Sequence, residues 1–411
     1  MALIDVGVMF AALAVAGAAA NRLGQSVIPF YILVGMLLGE HVLGRVSLPI
    51  VGAVSVPETA FIALGAELGV VFLLFFLGLE FNLDRLLARR SQIGVAGTID
   101  LANFGAGLVL GWLVFGAFLP AFLVAGIVYI SSSAVITKSL IDLGWIANDE
   151  SEPLLGTLVY EDLFIAVYLA VASALVFGGG DVGAAVTDIG IAVGFILALL
   201  AGVRFGTPAF DRLVETRNSE FVALRSIAAV VLAAGVAVAL GVSEAVAAFF
   251  VGMAFSATDR VHEIETLLEP VRDAFAAVFF FWIGLVTDPA LFGDVAALIA
   301  LAVAVTTPTK LVTGYLGGRA FELDVRRSTR VALGMTTRGE FSLIIATIAV
   351  TGAETGTFDP ALAATINAFA VGYVLVMAIL GTTLMGGSAP FESFAVSWLD
   401  PDGGNTAEAT R

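Results

Sequence analysis

The sequence predicts an all-α polytopic membrane protein of thirteen transmembrane helices, arranged as inverted six-helix repeats with two discontinuous crossing helices. Three observations predict this fold. Of the 411 residues, 59% are hydrophobic and only 13% are charged, and the mean hydropathy is +1.03, values that soluble globular domains do not reach. Short motifs of the first half recur in the second half. Each half also contains one apolar segment that small polar residues interrupt.

A hydropathy window of about 19 residues finds thirteen candidate spans along the chain. They lie near residues 3–20, 27–43, 59–80, 91–115, 119–140, 154–177, 183–205, 221–240, 243–257, 270–286, 290–316, 329–352 and 359–385. The first span has no basic leader before it, so we expect a retained helix rather than a cleaved signal peptide.

The basic residues orient these spans. With the N-terminus outside, sixteen of the nineteen lysine and arginine residues fall in inner loops or the C-terminal tail, and Arg45 alone falls in an outer loop. The remaining two, Lys310 and Arg338, lie inside spans. This asymmetry follows the positive-inside rule. We therefore expect a plasma-membrane protein with its N-terminus outside and its C-terminus in the cytoplasm.

An internal repeat relates the two halves. FFLGLEFNL (residues 75–83) aligns with FWIGLVTDP (residues 281–289), and LVGM (residues 33–36) aligns with FVGM (residues 250–253). Span three therefore matches span ten, and span two matches span nine. Because partners are seven spans apart, the repeats have opposite orientations in the membrane and span seven is left as a linker. Inverted repeats are typical of secondary transporters.

The interrupted spans occupy corresponding positions of the two repeats. The offset of the first motif pair maps Ser131–Ser133 in span five onto Thr337–Gly339 in span twelve. Serine and threonine compete for main-chain groups, and glycine permits unwinding, so two discontinuous helices that build a binding site are predicted. Packing by small residues is the alternative for the serines. Arg338 and Glu340 either contact a ligand or neutralise half-helix ends.

Two adjacent carboxylates, Glu161 and Asp162, lie inside span six, where one buried charge costs roughly 2.5–3.5 kcal/mol or more. At about 1.5 Å per residue from the inner membrane face, Glu161, Ser132, Arg338 and Lys310 share a layer some 10–14 Å deep. The sequence therefore places oxygen ligands and a lysine at one depth. Oxygen ligands suit a hard alkali cation, and costly carboxylates take up protons when the cation leaves.

Two further polar residues, Asp100 and Asn103, lie one helical turn apart in span four and join this layer. Pro308 is expected to break the helix beside Lys310. The site is therefore predicted to bind either a cation or a proton. The predicted cation- and proton-binding residues are Asp162, Glu161, Ser132 and Ser133. The predicted residues for charge pairing and helix-end compensation are Lys310, Arg338, Glu340, Asp100 and Asn103.

The acid pair Glu161-Asp162, the SSSAV break (residues 131–135), Lys310 and RGEF (residues 338–341) resemble the monovalent cation:proton antiporter superfamily. The resemblance is to its second branch, which contains Kef-type potassium efflux systems and bacterial sodium/proton antiporters, and covers essentially the whole chain. It implies a homodimer with a dimerisation domain (spans one to three and eight to ten) and a mobile core (spans four to six and eleven to thirteen) that moves as an elevator. The corresponding segments are 1–90, 91–177, the linker 178–220, 221–289, 290–386 and an acidic cytoplasmic tail at 387–411.

The resemblance also implies residue roles. Asp162 takes the place of the near-essential cation- and proton-binding aspartate, and Lys310 that of the core lysine that pairs with the first acid. Glu161 occupies a position that is Asp in electrogenic sodium antiporters and Asn or Gln in electroneutral or Kef-type relatives. Glutamate keeps the charge on a longer arm. The implied function is electrogenic antiport of sodium, the favoured cation, against protons.

Other functions fit the sequence less well. A potassium:proton antiporter or a potassium efflux channel-like protein stays open. The remote alternative is an intramembrane aspartyl protease, suggested by GGGD (residues 178–181), but Asp162 and Asp181 lie about 28 Å apart at about 1.5 Å per residue. The net charge of −16 argues against a nucleic-acid partner. The chain has no cysteines and two histidines, so a cysteine- or histidine-based metal site is not expected. We also expect no enzyme, no cofactor and no metal beyond the transported ion. Expected partners are sodium or potassium ions, protons, the lipid bilayer and a second copy.

Overall fold

The computed structural model describes most of the chain as helix. The described residues are 2–45, 47–48, 52–53, 55–80, 90–177, 194, 207–216, 218–240, 244–256 and 258–399. Within them lie seventeen α-helices and one two-stranded antiparallel ribbon, in which β1 (Ser47–Leu48) pairs with β2 (Gly52–Ala53). The predicted seventh span, the 178–183 loop with Asp181, and residues 400–411 lie outside the described residues, apart from Gly194.

The first six predicted spans correspond to eight helices, because the fourth and fifth spans are interrupted. The helices are α1 (Ala2–Arg22), α2 (Val27–Leu38), α3 (Ala60–Glu80), α4 (Arg90–Asp100), α5 (Ala102–Phe115), α6 (Phe118–Tyr129), α7 (Ser133–Asp142) and α8 (Ser151–Phe177). Ser26 caps α2, since its hydroxyl accepts a hydrogen bond from the Ile28 N–H at 3.3 Å. Such a cap satisfies a main-chain donor that the helix start leaves open.

The second half adds nine helices. They are α9 (Thr207–Val214), α10 (Ser219–Ala239), α11 (Glu244–Ser256), α12 (Val261–Val286), α13 (Phe292–Ala320), α14 (Val325–Gly334), α15 (Glu340–Glu354), α16 (Pro360–Gly386) and α17 (Ser388–Leu399). Asn218, Asp324 and Asp359 cap α10, α14 and α16 through their side-chain oxygens, which fixes where these helices begin. Helix α17 was not predicted, since the sequence placed a tail after residue 386.

Twelve of the thirteen predicted spans fall on described residues, and each coincides with one helix or with a pair of half-helices. Seven of these segments are long and apolar enough to cross a membrane by length and composition, and three more apolar helices are shorter. The all-helical membrane architecture thus agrees with the sequence prediction. The number thirteen stays a prediction, because the seventh span is not among the described residues.

The repeat motifs meet in space. Gly35 of α2 lies against the main chain of α12, and Gly284 of α12 lies against the main chain of α2. Helices α3 and α11 make the same reciprocal contact through Gly78 and Gly252. A Cβ atom at any of the four would collide with a main-chain oxygen, so glycine permits the helices to touch backbone to backbone. We call α2, α3, α11 and α12 the glycine-packed group.

The prediction that Pro308 breaks its helix is wrong. Helix α13 runs without interruption through it from Phe292 to Ala320. Proline removes one N–H donor from the ladder, here the partner of the Ala304 carbonyl oxygen, and the Thr306 and Thr309 hydroxyls add bonds to the neighbouring carbonyl oxygens of Ala302 and Val305, at 2.7 and 2.5 Å. Threonine hydroxyls and neighbouring helices make proline tolerable within membrane helices.

Candidate functional site

The two discontinuous helices cross at their breaks. The first break separates α6 from α7 at residues 130–132, and the second separates α14 from α15 at residues 335–339. The Ser132 N–H donates to the Thr337 carbonyl oxygen at 3.4 Å. A Cβ atom at Gly339 would collide with the Ser132 side chain, so the crossing needs glycine there. Four helix ends therefore meet in the protein interior.

Arg338 compensates the C-terminal half-helix ends. Its guanidinium is fully buried and donates to the carbonyl oxygens of Val128 at 2.9 Å, Met335 at 3.0 Å and Thr337 at 2.8 Å. These carbonyls belong to the last turn of α6 and to the stretch after α14, where the helix dipoles place partial negative charge. The structure thus places the Arg338 guanidinium at the C-terminal ends of two half-helices.

Glu340 lies at the N-terminal ends of the two half-helices that follow the breaks, α7 and α15. It is the first residue of α15, and its carboxylate accepts hydrogen bonds from the Ser132 hydroxyl at 2.6 Å and the Ser133 hydroxyl at 3.1 Å. Ser133 is the first residue of α7. A carboxylate between two helix N-termini is favoured by both dipoles. Ser132 and Ser133, predicted as cation ligands, are thus hydrogen-bonded to Glu340 in this structure.

Lys310 is the centre of a second cluster, which we call the lysine clamp and which consists of Lys310, Asp100, Glu161 and Ser131. The Lys310 Nζ lies 2.6 Å from Asp100 Oδ2, 2.6 Å from Glu161 Oε1 and 3.1 Å from Ser131 Oγ. All four residues are buried. The Tyr129 ring faces the ammonium at 5.1 Å from Nζ to its centroid, within cation–π range. One buried cation therefore faces two carboxylates.

Further donors hold both carboxylates of the clamp. Glu161 accepts from the Ser131 N–H at 2.7 Å and from the Ser131 hydroxyl at 3.0 Å. Asp100 Oδ1 accepts from the Asn103 amide at 3.0 Å and the Thr313 hydroxyl at 3.1 Å. Buried charges persist when they are both paired and hydrogen-bonded. The break at Ser131 supplies a main-chain donor that a continuous helix would have used internally.

Asp162 lies beside the clamp rather than within it. It is buried, with 6% of its surface exposed, and follows Glu161 on α8. Successive residues of an α-helix point about 100° apart, so the two side chains leave the helix in different directions. The hydrogen bonds donated by Lys310 go to Asp100, Ser131 and Glu161. The acid pair is thus split between two environments.

A cavity of about 690 Å³ reaches the crossing point. Residues of α2, α3 and α12 line one side, and residues of α7 and α15 line the other, with Ser133 and Glu340 at the wall. Its other charged lining residues are Lys138, Asp142, Glu269, Arg272 and Asp273. Three carboxylates against two cations, together with Glu340, make its lining net negative. Such a lining favours cations.

Sequence reasoning missed three residues of the clamp region. Ser131 is the first of three consecutive serines, Thr313 follows Lys310 by one helical turn, and Tyr129 ends α6. One-turn spacing could have indicated Thr313. Depth placed Asp100 in the layer of Lys310, but their direct contact could not be predicted, because the two residues are 210 positions apart.

Comparisons with known proteins agree with this architecture. A family model described as "Sodium/hydrogen exchanger, transmembrane" matches residues 8–386. The chain is 38% identical over 379 residues to the "K(+)/H(+) antiporter subunit KhtU" of Bacillus subtilis (strain 168), covering 92% of this chain and 91% of that protein. It is 31% identical over 339 residues to the "Na(+)/H(+)-K(+) antiporter GerN" of Bacillus cereus, covering 80% of this chain and 83% of that one.

Among solved structures, the chain superposes on the sodium proton antiporter MjNhaP1 from Methanocaldococcus jannaschii at pH 8 with a TM-score of 0.70. The match covers 93% of this chain and 97% of that one, at 15% sequence identity. Identity this low shows the shared fold alone. It confirms the predicted fold class.

Proposed function

The chain belongs to the transmembrane sodium/hydrogen exchanger family, and we propose that it is a plasma-membrane antiporter that exchanges potassium for protons by an elevator movement. Cation/proton antiport is the activity that the family and its named relatives share. The observation that carries the proposal is the lysine clamp, a buried ammonium between two carboxylates beside two crossing half-helix breaks. Polar and ionisable groups at such depth are typical of ion and proton pathways.

Potassium is the proposed cation because the relative that is 38% identical along nearly the whole chain is named a K(+)/H(+) antiporter subunit. Sodium, which sequence reasoning favoured, is the second candidate. The name Na(+)/H(+)-K(+) antiporter of the 31% identical relative supports it. Both ions are hard cations that take oxygen ligands, so the donor set suits either.

Asp162 is the proposed exchanging acid. Glu161 is already bonded by the Lys310 ammonium, the Ser131 N–H and the Ser131 hydroxyl. Asp162 is the neighbouring buried carboxylate outside that clamp, and the family resemblance gives it the exchanging role. It therefore binds a proton when the cation leaves and releases it when the cation returns.

The lysine clamp bears on the charge moved per cycle. Family resemblance implies electrogenic exchange, in which Lys310 releases a proton once the cation engages Glu161. Asp100, however, contacts the same Nζ at 2.6 Å, so Lys310 keeps a counter-charge whatever Glu161 does. Two carboxylates face the one ammonium, so the charge balance of the clamp does not require Lys310 to change. We therefore propose that one proton, from Asp162, leaves per cation bound and that exchange is close to electroneutral.

The helix packing supports the elevator, and the family resemblance implies the homodimer. Backbone contacts through Gly35, Gly284, Gly78 and Gly252 make the glycine-packed group a stiff unit. The cavity lies between α2, α3 and α12 of this group and the half-helices that carry the crossing. Sliding one unit past the other would close this opening and expose the site on the opposite face. The glycine-packed group is the proposed scaffold, and a second copy attaches to its domain.

Proteoliposomes that contain a pH-sensitive dye test the proposal. A potassium gradient should drive proton movement with the membrane potential clamped, and sodium or lithium gradients of the same size should drive less. Asp162→Asn vesicles are the matched control and should show none. Potassium flux without proton movement would make the protein a channel. A response to sodium that exceeds the response to potassium would reverse the proposed selectivity.

A further inference from the structure

Helix α17 extends the chain directly after the last membrane helix. Helix α16 has 27 residues and ends at Gly386, and α17 begins two positions later at Ser388. At about 1.5 Å per residue α16 is about 40 Å long, longer than the hydrocarbon core of about 30 Å. Its end therefore reaches the headgroup region, and the short link starts α17 there.

One face of α17 is attached to the protein. Glu392 accepts from the Arg330 guanidinium at 2.8 Å and from the Ser388 hydroxyl at 2.7 Å, and Arg326 Nε lies 3.8 Å away. Arg330 also donates to Glu150 at 2.7 Å, just before α8. Glu392 and Ser388 are buried by these contacts. The attachment ties α17 to α14, the first half of the second discontinuous helix.

A second face of α17 is aromatic and exposed. Phe391, Phe394 and Trp398 follow the i, i+3, i+7 spacing that places residues on one helix face. Their exposed fractions are 45%, 64% and 74%. The rings of Phe394 and Trp398 lie 5.9 Å apart. We call these three residues the aromatic face. It carries no charge, since Glu392 points to Arg330.

We propose that the aromatic face of α17 inserts into the lipid headgroup and acyl boundary, on the membrane face where Arg326 and Arg330 lie, and anchors the discontinuous helix α14 to the bilayer surface. The end of α16 in the headgroup region sets the depth of the aromatic face. Its chemistry fits, because tryptophan and phenylalanine favour the membrane interface and an amphipathic helix lies there with its apolar side down. The third side of the helix, with Ser393 exposed, faces water.

Lipid is favoured over a protein partner because the aromatic face continues an outward apolar surface of α16. The helix that leads into α17 already presents apolar side chains outward, with Val376 and Ile379 each 43% exposed, as a membrane helix presents them to lipid. The aromatic face prolongs that surface to the membrane boundary. Arg326 is 62% exposed at the side chain, beside the attachment, where an arginine can meet lipid phosphates.

The chain contains no cysteine, so one introduced thiol reports one position. Phe394→Cys and Ser393→Cys, each labelled with a small fluorophore, are reconstituted in phosphatidylcholine and phosphatidylglycerol vesicles. Phosphatidylcholine brominated near the glycerol end quenches from the interface, and iodide quenches from water. We expect the label at 394 to lose intensity with brominated lipid and the matched label at 393 to lose intensity with iodide.

Two results overturn the proposal. A label at 394 quenched by iodide and unaffected by brominated lipid places the aromatic face in water. A label at 394 protected from both quenchers means that protein covers the face, and recovery of quenching on dilution into excess lipid identifies a second copy. If Phe394→Cys does not fold, the variant W112F/W145F/W282F keeps Trp398 as the single tryptophan. Its emission, read with the same quenchers, decides the question.

Discussion

At the scale of single residues, Glu161 and Asp162 have different proposed roles in cation/proton exchange. Glu161 is fixed by the lysine clamp, and Asp162 leaves α8 in another direction. Asp162→Asn removes the exchanging carboxylate with little change in volume. We expect a folded protein with no cation/proton exchange, measured by dye response in proteoliposomes. Exchange at the wild-type rate from this variant would remove Asp162 from the proposed site.

The two counter-charges of Lys310 predict a non-additive response. Glu161→Gln and Asp100→Asn each leave one carboxylate on the ammonium, so each single variant should lose little stability. The double variant leaves a buried charge unpaired, and we expect an extra loss of about 3–5 kcal/mol in the free energy of unfolding. Thermal unfolding in detergent measures the stability of the wild type, the two single variants and the double variant. Adding Lys310→Met to the double variant is the control and should restore much of the loss.

If the two single losses of stability simply add up to the loss of the double variant, the clamp does not act as one unit.

The same Glu161→Gln variant tests how much net charge crosses the membrane in each transport cycle. Because Asp100 is a second counter-charge of Lys310, the exchange rates of this variant and of the wild type should both respond weakly to an imposed membrane potential. A strong response of the wild type that Glu161→Gln abolishes would instead support electrogenic exchange through the Glu161–Lys310 pair.

At the scale of helices, the glycine-packed group predicts where a methyl group cannot be added. Gly284→Ala would push a Cβ atom into the main chain of α2, whereas Gly235 on α10 has no neighbouring atoms within 4 Å of a built Cβ. Overpacking of this kind costs about 1–3 kcal/mol. We expect Gly284→Ala to lower the unfolding temperature in detergent and the control Gly235→Ala to leave it unchanged or raise it. Equal effects would contradict backbone contact as the cause.

The attachment of α17 predicts a dependence on pH. Burial raises the pKa of Glu392, but the hydrogen bonds from Arg330 and Ser388 and the charges of Arg330 and Arg326 outweigh it, so that its pKa lies below the usual value. A carboxyl group whose pKa is lowered by folding stabilises the docked helix above its unfolded pKa and loses that effect as pH falls through the folded value. Glu150 shares Arg330 and is the other acid of this cluster.

We therefore expect amide hydrogens of α17 to show lower protection factors at acid pH than at neutral pH, measured by hydrogen exchange in nanodiscs. Glu392→Gln should show the low protection at both pH values. Protection that is high and independent of pH in Glu392→Gln would show that the ion pair does not hold the helix. Helix α14 carries Arg330 and would lose its anchor in the same experiment.

At the scale of the whole molecule, the number of membrane spans and the inverted repeat depend on each other. The inverted repeat requires its partner spans to be an odd number of positions apart, and reciprocal contacts of α2 with α12 and of α3 with α11 fit that symmetry. A reporter fused after Arg411 should be cytoplasmic, and one inserted at residues 178–183 should be external. Reporters on the same side would contradict both the thirteen-span count and the orientation derived from the basic residues.

The sequence by itself determined the quantities that vary along the chain. Hydropathy located twelve spans now described as helices, and the repeated motifs and small polar residues located both breaks to within a few residues. Depth counted along each span correctly grouped Glu161 and Lys310. These features depend on local composition and on distance from the membrane surface, which a single chain encodes residue by residue.

Only the tertiary structure decided which sides of the helices face each other. It joined Asp100 to Lys310, separated Asp162 from Glu161, directed Arg338 to carbonyl oxygens, and carried α13 unbroken through Pro308. It also formed α17 from a segment read as a tail. The physical reason is that depth and hydropathy fix the position of a residue along the membrane normal but not its direction around the helix axis. That direction depends on packing against helices that are remote in sequence.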